Sequence, residues 1–200
     1  MSNNPIEAIV IGGSAGSIKV VKEILSGLSF IPPIPILIVL HRLQTDTNSG
    51  LRDVLQYATP IPIVEPSHGE KIKGGTIYLA PTNRHLVVND QHEFELSSSP
   101  LIHYSRPSID VLFLSVADIY KKNALGILLT GANKDGAYGI KTVKDNGGLT
   151  IVQDPKDCFI AVMTQSALNI SPIDHVLYSH EISDFINKNE HLMNSYARTT

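Results

Sequence analysis

A chain of 200 residues, 42% hydrophobic and 18% charged with 14 Gly and 12 Pro, has the composition of a packed protein of one α/β unit and excludes a disordered or fibrous chain. Lys and Arg number 16 against 19 Asp and Glu, and a net charge of -3 offers no broad cationic surface to a nucleic-acid backbone. The single Cys excludes an internal disulfide and a thiolate zinc cluster, and makes the cytoplasm the expected compartment.

The first residues, Met1 to Glu7, carry no Lys or Arg ahead of a short apolar run, so no export signal is expected. Ile6–Ile11 is a compact apolar run ending in Gly12-Gly13, and Ile18, Val20, Val21, Ile24, Leu25 and Leu28 then recur at helical spacing. The pattern predicts strand, tight turn, helix. Ile31–Leu40 is the longest apolar stretch, ten residues interrupted by three prolines, too short to span a bilayer. Its second part, Pro35–Leu40, reads as a strand covered on both faces that ends at His41-Arg42. A helix is predicted over Gly50–Tyr57, stopping before Pro60. Four short strands follow, Ile61–Val64, Thr76–Leu79, His85–Val88 and Phe94–Leu96, which read as an inserted meander or hairpin set with some antiparallel pairing.

Arg106-Pro107-Ser108 opens a helix with Ile109, Leu112, Phe113, Val116 and Ala117 on one face. Ala124–Leu129 is another buried strand, and the loop Thr130–Gly136 leads into a helix that halts at Gly147-Gly148. A strand at Thr150–Gln153, a helix over Ala161–Leu168, a strand at His175–Tyr178 and a helix near Glu181–Asn187 complete the chain, followed by a polar tail over residues 188–200. Alternating strands and helices of this kind predict an α/β fold with a mainly parallel sheet, in one domain with its core at about residues 6–186.

Gly12-Gly13-Ser14-Ala15-Gly16 fits G-x-S-x-G between a predicted strand and a predicted helix. A serine in so sharp a turn projects its hydroxyl above the carboxyl edge of the sheet, where backbone N–H groups can approach a developing oxyanion. The competing reading is a glycine turn that cradles an anion. Against that, the spacing is not that of a dinucleotide or P-loop motif, and the second strand ends in His41 rather than in a carboxylate.

His41 reaches the same edge and is the best available base, although a polar residue at a strand end needs no catalytic role. Asp135 leaves the Ala124–Leu129 strand at that edge and could orient the imidazole; it would equally serve as the N-cap of its own helix. Asp110 and Asp154 are weaker rivals for the orienting role. The remaining histidines, among them His68, His85, His92 and His103, read as solvated loop residues without metal-ligand spacing. Cys158 could approach the edge too, but a lone thiol is more often buried and inert.

Taken together, Gly12–Ser14, the strand ending in His41, Tyr78-Leu-Ala-Pro81, Arg106-Pro-Ser-Ile-Asp110, Leu129-Thr-Gly131 with Asp135-Gly-Ala137, and Gln153-Asp154 with Cys158 resemble the catalytic domain of the chemotaxis protein-glutamate methylesterases. The resemblance covers nearly the whole chain. It implies a doubly wound sheet with helices on both faces, and a serine hydrolase without cofactor. Its nucleophile would be Ser14, its general base His41, its orienting carboxylate Asp135, and its oxyanion donors the backbone at Ala132 and Ala15.

The implied substrates are methyl-esterified glutamates on the cytoplasmic helices of chemoreceptors, with glutamine deamidation as a side activity. Nucleic acid and membrane insertion are not expected. This sequence has Ser14-Ala15-Gly16-Ser17 where the family reads Ser-Thr-Gly-Gly, Ala132 where it carries Met, and Ala161-Val-Met-Thr164 in place of a Gly-Met-Pro segment. Only Met1–Pro5 precede the first strand, so the family's receiver domain is not expected here and the chain would not be regulated by a receiver of its own, which leaves room for a separate regulatory protein. Two further readings stay open: a silent relative that only binds receptors, motivated by Ala15 and Ala132, and an anion- or nucleotide-binding α/β protein.

Overall fold

The computed structural model describes residues 4–41 and 50–193. Arg42 and the last seven residues of the expected tail lie outside these. In chain order the elements are β1 (Ala8–Gly13), α1 (Ser17–Gly27), β2 (Ile36–Leu40), α2 (Gly50–Gln56), β3 (Ile63–Val64), β4 (Ile77–Leu79), β5 (His85–Val88) and β6 (Phe94–Ser97). They continue with α3 (Ile109–Tyr120), β7 (Ala124–Leu128), α4 (Ala137–Asp145), β8 (Leu149–Gln153), α5 (Val162–Ile170), β9 (His175–Leu177), α6 (Ser179–Lys188) and α7 (Glu190–Met193).

Strands that are apolar at every position belong inside a sheet covered on both faces, and β1, β2 and β7 occupy its centre. The seven strands run in the order β3-β4-β2-β1-β7-β8-β9 and every pairing is parallel. Side chains alternate between the faces with the period of a strand. Ile9, Ile11, Ile36, Ile38 and Leu40 pack under α1, α2 and α6, while Ala8, Val10, Leu37 and Val39 pack under α3, α4, α5 and the β5–β6 hairpin. The doubly wound sheet follows: β2, β3 and β4 lie on one side of β1, with β4 inserted between β2 and the edge strand β3, and β7, β8 and β9 are then added outward on the other. The carboxyl ends of β1, β2 and β7 flank the crevice where such sheets hold their ligands.

The four inserted strands divide in a way their letters did not disclose. β5 and β6 form the expected antiparallel hairpin, with Leu86 opposite Leu96. β3 and β4 instead join the main sheet in parallel, Ile63 opposite Ile77, because the chain between them crosses over rather than turning tightly. Period-two alternation marks a strand but not its direction. The tail also starts later than expected: Met193 is buried in the core and the amide of Ile6 donates to the carbonyl of Leu192 at 2.9 Å. The helix after β7 ends as read, with Gly147 in the left-handed region at φ 84°.

Candidate active site

The turn after β1 is fastened to both neighbouring strands. The amide of His41 donates to the carbonyl of Gly13 at 3.1 Å, the amide of Leu129 to that of Gly12 at 2.9 Å, and the amide of Ser14 to that of Thr130 at 2.9 Å. Gly12 admits the start of α3, since a Cβ there would stand 2.4 Å from Ile109 Cγ2. Gly16 turns the chain into α1 at φ 84°. Ser17 donates its hydroxyl to the carbonyl of Ser14 at 2.6 Å, which steadies the turn from below. Ser14 is left half-buried, and its hydroxyl has no hydrogen-bond partner among the described residues. The backbone N–H groups of Ala15 and Ala132 likewise have none among them, so two donors stand uncommitted on the two loops that flank the serine.

His41 and Asp135, distant in sequence, meet directly: His41 Nε2 lies 2.7 Å from Asp135 Oδ2, with the imidazole 11% exposed and the carboxylate fully buried. An ionised carboxylate only accepts, so Nε2 carries the hydrogen and Nδ1 is the basic nitrogen. This assignment of the two nitrogens is the reverse of that in chymotrypsin.

Asp135 does not cap its own helix. Gly136 holds that position, and the carboxylate reaches across to the start of α3, where it accepts from Ile109 N at 2.8 Å, Asp110 N at 3.0 Å and the Ser108 hydroxyl at 2.8 Å. Burial raises its pKa, but the bonds from His41 and from the amides of Asp110 and Ile109 outweigh it, leaving Asp135 below the usual carboxylate range.

Asp110 returns the contact. Its Oδ1 accepts from Gly136 N at 2.8 Å and Gly139 N at 2.7 Å, so each helix start is satisfied by a carboxylate from the other's segment. Burial and the neighbouring Asp135 charge push Asp110 up to about 6, despite the two amides.

Ser14, His41 and Asp135 therefore stand on three strand ends at one edge, while the rivals do not join them. Asp154 accepts from the amide of Lys156 within its own turn at 2.8 Å. Cys158 faces the Thr164 hydroxyl at 3.4 Å rather than a base, and burial pushes its thiol up. His85 corrects the expectation of a solvated loop residue. It is 1% exposed, its Nε2 donates to the Pro100 carbonyl at 3.1 Å, and its Nδ1 accepts from Ser108 N at 3.1 Å, which holds the start of α3 in place.

Sequence reasoning missed two contributors. Ser108 could have been found as the N-cap after Arg106-Pro107, since its hydroxyl accepts from Val111 N at 3.4 Å. Ser105, whose hydroxyl lies 3.3 Å from His41 Nδ1, gave no signal, being one serine in a polar loop.

Parallel strands that bring a hydroxyl, an imidazole and a helix-seated carboxylate to one crevice place this chain among hydrolytic enzymes of the doubly wound α/β class. Within that class the chain belongs to the CheB methylesterase family, whose model matches residues 9–186. It is similar to a Leptospira interrogans protein provisionally named a protein-glutamate methylesterase/protein-glutamine glutaminase, with 43% identity over 178 residues that cover 89% of this chain and 92% of the relative. It is 34% identical to Anaeromyxobacter dehalogenans protein-glutamate methylesterase/protein-glutamine glutaminase 2 over 88% of this chain, and spans about half that relative's length, 51%. The crystal structure of the Thermotoga maritima CheB methylesterase catalytic domain superposes with a TM-score of 0.86 at 30% identity, covering 92% of this chain and 98% of that one.

Proposed function

We propose that this chain hydrolyses methyl esters of glutamate side chains on chemoreceptor cytoplasmic helices, with Ser14 as nucleophile. The observation that carries this reading is the 2.7 Å contact between His41 and a fully buried Asp135 at the strand ends that flank the Ser14 turn. His41 Nδ1 takes the Ser14 proton as the oxygen attacks the ester carbonyl, and Asp135 stabilises the resulting imidazolium. The uncommitted N–H groups of Ala15 and Ala132 serve the tetrahedral oxyanion. Methanol leaves with the proton from Nδ1, and water then releases the glutamate carboxylate from the acyl-enzyme. A side-chain amide of glutamine fits the same donors with a poorer leaving group.

Neither Ala15 nor Ala132 argues for a silent relative, because the donors at both positions are backbone amides that any residue except proline supplies.

Methanol release from a methylated receptor cytoplasmic fragment tests the reading. Ser14→Ala should lower turnover by at least about 10³-fold. Methanol release that survives this substitution, or receptor binding without turnover by the unaltered chain, would overturn it.

A further inference from the structure

The loop between β6 and α3 builds a tight reverse turn beside the base. Ile102 N donates to the Ser105 carbonyl at 3.1 Å and Ser105 N to the Ile102 carbonyl at 2.8 Å. The two residues between them, His103 and Tyr104, are left-handed at φ 47° and 63°. Residues other than glycine seldom take that conformation twice in succession. Two contacts secure the turn. Asn133 Nδ2 lies 3.5 Å from the His103 carbonyl and His103 Nε2 lies 3.7 Å from Asp110 Oδ2, both joining it to the segments that seat Asp135.

The turn delivers one side chain to the site. Ser105 Oγ stands 3.3 Å from His41 Nδ1 and 3.5 Å from the carbonyl of His103. The first partner has a lone pair only while the imidazole is neutral; the second is an acceptor in every state.

On the reading that His41 is the general base, we propose that Ser105 is a second hydroxyl of the proton-transfer site, holding His41 in both of its protonation states. In the free enzyme the Ser105 hydroxyl donates to the one lone pair of neutral Nδ1. When substrate binds, the Ser105 hydrogen turns to the His103 carbonyl and leaves that lone pair to the Ser14 hydroxyl; once Nδ1 has taken the Ser14 proton, Nδ1–H donates to Ser105 Oγ. The proton itself remains on Nδ1 until methanol leaves with it, so Ser105 gains and loses none. Both contacts are long in the free enzyme, as catalytic hydrogen bonds often are before substrate binds. An alanine at this position would leave the ring held only by Asp135 and free to swing about that bond.

Methanol release measured for Ser105→Ala, Ser105→Thr and Ser14→Ala separates this role from a structural one. Ser105→Ala should lower kcat about three- to tenfold, the worth of one hydrogen bond, with KM unchanged. Ser105→Thr, which keeps the hydroxyl, should stay within about twofold of the unaltered enzyme on the same scale. In Ser105→Ala the ¹⁵N resonance of His41 Nδ1 should move while that of Nε2, still bonded to Asp135, should not.

An alanine variant as fast as the parent, or a threonine variant as slow as the alanine one, overturns the role of Ser105 and leaves the esterase reading intact. Persistent turnover by Ser14→Ala overturns the esterase reading itself.

Discussion

Two corners of the same sheet edge hold a carboxylate against a helix start, yet only one of them can move a proton. At the first, Asp135 accepts from the amides that open α3 and from His41. At the second, Asp157 Oδ2 accepts from Ser179 N, which opens α6, at 2.8 Å and from Gln153 Nε2 at 2.8 Å. Both carboxylates are held below their ordinary range for the same reasons, burial pulling upward and hydrogen bonds prevailing. The difference lies in the side chain on the other end. An imidazole can take a second proton and an amide cannot. Gln153 instead accepts from Thr130 N at 2.9 Å and so supports the loop that carries Ala132. A depressed carboxylate pKa is therefore not a sign of catalysis until its partner is named.

Removing the charge at each corner with the same substitution separates the two most strongly. Asp135→Asn presents an amide to His41, which removes the stabilisation of the imidazolium and permits the wrong tautomer. It should lower kcat by about 10³–10⁴-fold. Asp157→Asn should leave kcat within about threefold and cost roughly 1 kcal/mol of stability, the worth of a helix-start hydrogen bond. Methanol release and urea unfolding of the two variants measure both quantities. Comparable losses of turnover at the two corners would mean that the second also serves the reaction.

The first corner was far more legible in the sequence than its supporting structure. Gly12–Gly16 between an apolar run and a helical period, with strands ending near His41 and Asp135, was enough to place three residues at one edge. What the letters concealed was the exchange between helix starts. Asp135 stands where a helix cap belongs, and nothing local shows that its carboxylate crosses to α3 while Asp110 crosses to α4. The direction of β3 and β4 was hidden for a related reason, since parallel and antiparallel partners leave the same alternation within one short strand. Burial of His85 was equally invisible, because its two partners, the Pro100 carbonyl and the Ser108 amide, come from segments more than ten positions away.

That exchange of carboxylates predicts a smaller effect with a definite sign. Asp110 is raised to about 6, chiefly by burial and next to Asp135. A carboxylate raised on folding binds more protons in the folded state, so its contribution to stability is largest below about pH 4 and is lost as the pH climbs to about 6. Asp135, shifted downward, behaves oppositely: its contribution is present at neutral pH and disappears on acidification below about pH 4.

Asp110→Asn keeps an oxygen for the amides of Gly136 and Gly139 while removing the charge. Relative to the parent, the variant should therefore gain stability between pH 4 and 6, on the order of 2 kcal/mol, in urea unfolding followed across that interval. A constant difference between the two proteins would show that Asp110 does not titrate there, and that repulsion between the exchanged carboxylates is already relieved by the helix starts.

The smallest effect belongs to Cys158, which sits at the second corner and lines a cavity of about 350 Å³ together with Gly16, Thr130, Gln153 and Asp157. Reagents can reach that cavity, yet burial and the charge of Asp157 push the thiol up, and the hydroxyl of Thr164 at 3.4 Å does not reverse this. A thiol raised in this way is protonated at neutral pH and reacts slowly. Alkylation at pH 7 should lag behind that of a small free thiol, and Cys158→Ser should change methanol release by less than about twofold, since serine keeps a donor for the same neighbours. Rapid alkylation accompanied by loss of turnover would reverse the ranking of the two corners, because it would require a thiolate near the nucleophile turn that the hydrogen bonds around Cys158 do not stabilise.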